Sequence, residues 1–242
     1  MTRRLHHPAL PDTNTELELS EAATRHAKVL RLAVGDPLVL FDGAGREADA
    51  RILRLGDHLR CAVDAAREVA SIHPRVVLCV CVPKGAKLEQ VVRGATEVGV
   101  VAVHLAISER CVARPSGDAF KKLERLRRIA QEAARQSGRA SVPDVLAAAP
   151  LAEVAGRADP CARRLVAVPG AAPLEGVGDE AWLIVGPEGG LSPGEQDHLV
   201  AAGWTPIGLG PSVMRAETAA VVGAALVGAA LRRGDPSRSA AG

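Results

Sequence analysis

The stretch Trp182-Leu183-Ile184-Val185-Gly186-Pro187-Glu188-Gly189-Gly190-Leu191-Ser192-Pro193-Gly194-Glu195 decides the reading of this chain. Residues 182–185 form a short apolar run, as expected of a strand covered on both faces of a sheet. Gly186, Gly189 and Gly190 permit positive φ and close approach of backbone to a ligand. Ser192 can cap a helix, Pro193 suits its first position and Glu195 completes a capping box. The stretch therefore predicts a buried strand, a glycine loop and a helix start. Alone, such a loop is equally a tight turn with no ligand. A second loop of the same kind, Leu209-Gly210-Pro211-Ser212-Val213-Met214-Arg215-Ala216-Glu217-Thr218, follows another short strand. Two glycine-bearing loops after two strands make a candidate cofactor pocket.

Working outward, residues 73–242 read as one α/β domain. Residues 76–82 and 100–107 are apolar runs expected to be central strands, with a helix over 87–98 between them and Gly99 as its cap. No G-x-G-x-x-G follows the first strand, and G-x-x-x-x-G-K-[ST] is absent from the chain, which argues against a dinucleotide site and a P-loop. Residues 118–136 predict an amphipathic helix with Leu123, Leu126, Ala130 and Ala133 on one face. Residues 121–139 carry seven basic side chains, Lys121, Lys122, Arg125, Arg127, Arg128, Arg135 and Arg139, against Glu124 and Glu132. This is either a solvated face or a surface for phosphates. Residues 140–180 show one expected strand, 165–168. Helices are expected over 193–202 and 216–231, with a strand over 205–209 between them. The last helix is apolar on nearly every side, so a core or an oligomer interface must cover it. The tail from Gly234 reads as disordered.

Residues 1–72 differ from the rest. Their short apolar stretches, 37–41 and 50–53, and the turn signal at 42–45 predict a small β-barrel-like domain. Residues 21–32 predict one helix capped by Ser20, with His26 and Arg31 at a basic edge. That edge is either a solvated helix end or a substrate contact.

Composition narrows the classes. Of 242 residues, 48% are hydrophobic, but there are only two Trp, two Phe and no Tyr, so the core is built from Val, Leu and Ala and base stacking on aromatics is disfavoured. A net charge of +2 gives no global attraction to nucleic acid, leaving that to local patches. Cys61, Cys79, Cys81, Cys111 and Cys161 form no C-x-x-C pair and read as buried free thiols rather than metal ligands. The N-terminus lacks an apolar signal core, and the longest apolar run, 219–231, is too short for a bilayer. These features predict a soluble cytoplasmic protein with no metal and no membrane partner.

The two loops, residues 184–192 and 209–219, resemble the C-terminal signature of the ribosomal RNA small subunit methyltransferase E family, knotted methyltransferases of the SPOUT superfamily. Residues 26–31, 84–87, 96–99, 108–110 and 132–143 also resemble that family, so the likeness covers essentially the whole chain. It implies a PUA-like, RNA-binding β-barrel at residues 1–72 and an α/β SPOUT domain with a deep trefoil knot at 73–242. It further implies a homodimer, S-adenosylmethionine as methyl donor, and methylation at N3 of one uridine in 16S ribosomal RNA, free or in the assembled small subunit. The implied cofactor residues are Val185, Gly186, Pro187, Glu188, Gly189, Gly190, Leu209, Gly210, Val213, Met214, Arg215 and Thr218. The implied RNA contacts are His26, Arg31, Lys84, Lys87, Arg125 and Arg139. Arg215 and Glu217 are the candidates for chemistry. Arg215 can stabilise an anionic uracil or fix a phosphate, and Glu217 can orient Arg215 or act as base, although the two could also form an ordinary ion pair at a helix start. Ser212, Met214, Ala216 and Cys111 depart from the family's usual basic residue, Leu, Thr and Ser. Two other readings stay open: a methyltransferase of the same superfamily acting on transfer RNA, and a non-catalytic RNA-binding assembly factor. The four glycines at 186, 189, 190 and 210 favour an enzyme over the latter.

Overall fold

The computed structural model describes residues 3–70, 74–83, 87–111, 118–174 and 178–233; the expected tail from Gly234 and the boundary at 71–73 lie outside them. The chain divides into two compact units, residues 1–71 with 131–142, and residues 72–130 with 143–242.

The first unit holds β1 (Arg4–His6), β2 (Thr15–Glu18), α1 (Glu21–Val29), β3 (Pro37–Phe41), β4 (Arg46–Leu55), β5 (Leu59–Val63) and β6 (Arg67–Glu68). Five strands run in the order β1-β3-β4-β5-β2, and β6 pairs with β4. Only the β1–β3 pairing is parallel. Inward residues of β4 alternate, with Ala48, Ala50 and Ile52 buried, as a sheet with one covered face requires. They meet Leu5, Leu40, Leu59 and Cys61, and α1 closes over them with Ala23 and Ala27. Ser20 caps α1 by accepting from the Ala23 amide, and Asp42 Oδ1 makes the β3–β4 turn by accepting from Ala44 and Arg46. Residues 131–142 return to this unit. The Gly45 amide donates to Ala140 O and the Val142 amide to Gly43 O. The sequence boundary at 72 does not reveal this return, because a segment 60 residues downstream leaves no local sign of its destination.

The second unit holds β7 (Arg75–Cys81), α2 (Lys87–Glu97), β8 (Ala102–Ile107), α3 (Ala119–Ser137), β9 (Asp144–Pro150), α4 (Leu151–Gly156), β10 (Arg163–Ala167), β11 (Glu180–Val185), α5 (Pro193–Ala201), β12 (Thr205–Ile207) and α6 (Ala216–Arg233). The last turns of α3, from 131, belong to the first unit. The six strands are all parallel, in the order β12-β10-β11-β7-β8-β9. β9 and α4 were not expected. β9 is an edge strand of small residues ending at Pro150, and α4 spans only six residues, so neither carries a strong periodic signal.

Both sheet faces are covered, which explains the unbroken apolar runs of β7 and β11. On one face Cys79, Cys81, Trp182 and Ile184 pack with Val154 of α4 and Leu199 of α5. On the other, α6 lies against β7 and β11, and α2 packs against α6. The glycines set these distances: a Cβ on Gly223 would stand 2.8 Å from Leu183 Cδ2, and one on Gly94 would stand 2.7 Å from Val221 Cγ2. The small residues of α6 therefore serve close packing within the chain. Cys61, Cys79, Cys81 and Cys111 are buried free thiols, while Cys161 is exposed. Burial pushes Cys61 up to about 11 and Cys79 higher still. Cys81, hydrogen-bonded to Cys111, is also pushed up, and Cys111 is pulled down by the same bond.

Candidate active site

β10, β11 and β12 are neighbours in the sheet, and the loops leaving their C-terminal ends enclose one cleft of about 820 Å³, its open mouth included. Ligand sites of parallel sheets sit at this end, where strand order breaks from chain order. Ala167, Val168 and Pro169 come from the first loop. Val185, Gly186, Pro187, Glu188, Gly190 and Leu191 come from the second, with Gln196 of α5. Leu209, Gly210, Ser212, Val213 and Met214 come from the third, with Ala216 and Ala219 of α6.

The second loop is a tight turn. The Gly190 amide donates to Pro187 O at 2.8 Å, and Gly190 itself has φ +68°, where a side chain is strained. At Gly186 the need is space, because a Cβ would stand 3.2 Å from Leu191 Cγ and 3.3 Å from Leu191 N. The expected capping box starts α5: Ser192 Oγ accepts from the Glu195 amide at 3.3 Å and Glu195 Oε2 accepts from the Ser192 amide at 2.8 Å. The first and third loops are joined by a close backbone approach. The Gly208 amide donates to Ala172 O at 2.7 Å, and a Cβ on Gly208 would stand 2.2 Å from Ala171 O.

Among the described residues lining the cleft, Glu188 is the only ionisable side chain. Lys87, at the start of α2, reaches Glu188 Oε1 at 3.0 Å and stands 3.4 Å from Glu217 Oε2. The second contact is a charge pairing without hydrogen-bond alignment, since Glu217 Oε2 is buried and accepts no hydrogen bond. The Lys87 ammonium is held above its ordinary range, chiefly by the hydrogen bond to Glu188. Arg215 is exposed, stands in sequence between the lining residues Met214 and Ala216, and its side chain makes no hydrogen bond or ion pair among the described residues. Glu217 therefore pairs with Lys87, not with Arg215.

A family model of the RNA methyltransferase domain matches residues 71–228, and one of the RNA methyltransferase PUA domain matches residues 19–61. Ribosomal RNA small subunit methyltransferase E of Mycobacterium bovis is 35% identical over 95% of this chain and 92% of its own length. The chain belongs to the ribosomal RNA small subunit methyltransferase E family. The Synechocystis member is 34% identical over 84% of this chain and 69% of its own length. The Neisseria gonorrhoeae member, solved bound to S-adenosyl methionine, superposes with a TM-score of 0.86 at 27% identity, covering 93% of this chain and 96% of that one.

In this family member, nine of the twelve expected cofactor residues line the cleft. Gly189, Arg215 and Thr218 do not. Gly189 lacks positive φ, and a Cβ there would meet only Arg110, 3.6 Å away at Cβ. Sequence reasoning missed the first loop, 167–169, as well as Leu191, Gln196, Ser212, Ala216 and Ala219. The strand expected over 165–168 carries no local mark that its end forms a third wall. Of the expected RNA contacts, Lys84 lies outside the described residues. Lys87 is engaged by two carboxylates, and Arg125 pairs with Glu89 at 3.0 Å. Arg31 is exposed and holds a positive φ of 54°, unusual for a side-chain-bearing residue. His26 on α1 is half-buried, its pKa lowered by burial and then by Arg135. Arg139 differs from expectation most: it is buried, with Nη2 3.4 Å from Ser141 Oγ, and its backbone carbonyl accepts from Arg4. That position shapes the first unit instead of presenting charge to a phosphate.

Proposed function

We propose that this chain methylates N3 of one uridine in 16S ribosomal RNA, using S-adenosylmethionine. The observation that carries the reading is the three-loop cleft, in a member of a ribosomal RNA methyltransferase family with a relative solved bound to that cofactor. The residues fit the group. Apolar walls and close-approaching backbone suit an adenosine moiety, and Glu188, the one carboxylate among the described lining residues, suits a cationic donor. Backbone groups of 186–190 and 209–214, with Gln196, would hold it. When bound, the cofactor supplies a methyl group on a sulfonium.

Uridine N3 must lose its proton to become nucleophilic, and negative charge then develops on the ring. Arg215, exposed and uncommitted beside Met214, can meet that charge or a neighbouring phosphate. Glu217, tied to Lys87, fixes the start of α6 and with it the third loop, a positioning role better supported than that of base. Exposed basic residues on α3, among them Lys122 and Arg128, and Arg31 in the first unit are the proposed phosphate contacts.

Three further features belong to the proposal. The trefoil knot follows from family membership, and the order that sets β11 between β7 and β10 is compatible with it. Val222, Ala225, Leu226 and Ala229 share one partly exposed face of α6, Leu226 being 46% exposed, which supports a homodimer through that face. A substrate in ribosomal RNA places the protein in the cytoplasm, and among the described residues no helix is long and apolar enough to cross a membrane. The test is nucleoside mass spectrometry of small-subunit RNA from a deletion strain, before and after treatment with purified protein and labelled cofactor. Loss and return of N3-methyluridine is expected. A methylated transfer RNA, or no transfer at all, refutes the reading.

A further inference from the structure

The second cleft loop has an inner and an outer side. Val185, Gly186, Pro187, Glu188, Gly190 and Leu191 line the cleft, and Gly189 alone in this run does not. The Gly189 carbonyl accepts instead from Arg110 Nη1 at 3.0 Å. The Arg110 stem runs along the same residue, so that a Cβ on Gly189 would stand 3.6 Å from Arg110 Cβ and 3.7 Å from Cδ. One residue earlier, the Glu109 amide donates to Glu195 Oε1 at 2.8 Å, while Glu195 Oε2 holds the Ser192 amide. Residues 108–111 thus grip the loop at Gly189 and again where it becomes α5. The grip is itself anchored. The Cys111 amide donates to Ser108 O at 3.1 Å, Ser108 N donates to Cys111 Sγ at 3.4 Å, and Ser108 and Cys111 are both buried.

We propose that Arg110 is a positioning residue for the methyl donor, holding loop 186–190 in its binding conformation through the Gly189 carbonyl without touching the donor. The proposal rests on the reading of the cleft as an S-adenosylmethionine site. A short glycine-bearing loop left free must be ordered at the moment of binding, and that cost falls on affinity. A loop already fixed from outside leaves its cleft-facing amides and carbonyls ready. The chemical step, which depends on other groups, gains nothing from the clamp once the donor is bound.

The test compares wild type, Arg110→Met and Arg110→Lys by calorimetry with S-adenosylmethionine, single-turnover methylation at saturating donor, and thermal unfolding of the free chain. Loss of a charged donor to one carbonyl predicts about tenfold weaker donor binding in Arg110→Met. Its single-turnover rate should stay within about twofold and its thermal midpoint should not move. Arg110→Lys should recover part of the affinity, since an ammonium can serve one acceptor although it lacks the planar fork. Equal donor affinity in wild type and Arg110→Met overturns the clamp while leaving the cleft reading intact. A lowered midpoint with equal losses in both variants overturns it in favour of a general structural role. Wild type that binds no donor overturns the cleft reading and the clamp with it.

Discussion

Replacing Gly208 by Ala should disable the cofactor cleft, whereas the same replacement at Gly189 should not. At 208 the new methyl group would stand 2.2 Å from Ala171 O and 3.2 Å from Ala171 C. A carbon and a carbonyl oxygen ordinarily approach to about 3.3 Å, so one strand of backbone must move by about 1 Å. The Ala171 carbonyl is not free to do so. Its neighbour Ala172 accepts from the Gly208 amide, Ala171 donates to Val168 O, and Val168 donates to Ile207 O at 2.9 Å. Two of these bonds must lengthen or break at about 1 kcal/mol each, and the strain that remains brings the total to about 3 kcal/mol. Both displaced segments wall the cleft, through residues 167–169 and 209–210. Donor affinity should therefore fall more than tenfold, beyond any loss of fold, with the thermal midpoint several degrees lower. At 189 the added carbon finds ordinary contact with Arg110 and no backbone strain, and the change should stay within about 0.5 kcal/mol. Calorimetry with S-adenosylmethionine and thermal unfolding on both variants decide the matter. Wild-type affinity in Gly208→Ala, or a large loss in Gly189→Ala, would refute the placement of the close approach.

Three other outcomes are expected. Arg215→Ala should leave the fold and donor affinity nearly unchanged yet lower single-turnover methylation about a hundredfold, the scale of one lost charge-stabilising donor, with Arg215→Lys recovering part; near-normal turnover would remove Arg215 from the chemistry. Changing Lys121, Lys122, Arg125 and Arg128 to Gln should weaken RNA binding and flatten its salt dependence, with most of the effect from Lys122 and Arg128, since Lys121 pairs with Asp118 and Arg125 with Glu89. Stability should fall on acidification: burial, then the Arg157 charge, lowers the His104 pKa, so the unfolded chain takes up its proton first, near pH 6.5, and stability complete above that value is lost as pH falls through it towards the folded value. His6 and His26 shift the same way, mainly by burial. His104→Phe, which keeps a ring against Trp182, should reduce the drop in thermal midpoint between about pH 7 and about pH 5, and an unchanged drop would assign it to the other groups.

The sequence made legible those parts of the site that depend on backbone. A buried strand, a glycine loop and a capping box each leave a local mark, which is why residues 182–195 foretell β11, its turn and α5. The strand order, with β11 between β7 and β10, is not local, and periodicity cannot supply it. The role of a charge is illegible for the same reason. A basic side chain states its type but not its partner, and the partners here are far away in sequence. Lys87 meets Glu188 101 positions on, and Arg110 meets the Gly189 carbonyl 79 positions on. Arg139 resembles an RNA contact in a basic run, yet it is buried where residues 131–142 rejoin the first unit. The glycines divide likewise. At Gly189 an added Cβ meets only Arg110, whereas at Gly208 another loop of the same chain approaches the backbone closely.

These placements bear on how the cleft can hold a donor with so little charge of its own. Among the described residues Glu188 is its one ionisable lining side chain, so affinity must come from backbone groups and shape, and both are only as good as the loops are fixed. Each loop is fixed from outside the cleft. The first and third hold each other at Gly208, the second is held by Arg110 at Gly189 and by Lys87 at Glu188, and Lys87 also pairs with Glu217 at the start of α6. α6 in turn packs Gly223 on Leu183 of β11, the strand from which the second loop departs. Donor affinity should therefore be most sensitive to residues that never touch the donor, and methyl transfer to the exposed Arg215. Substitutions that separate those two quantities would show this arrangement directly. Substitutions at the clamps that lower both together would mean that the loops also place the RNA.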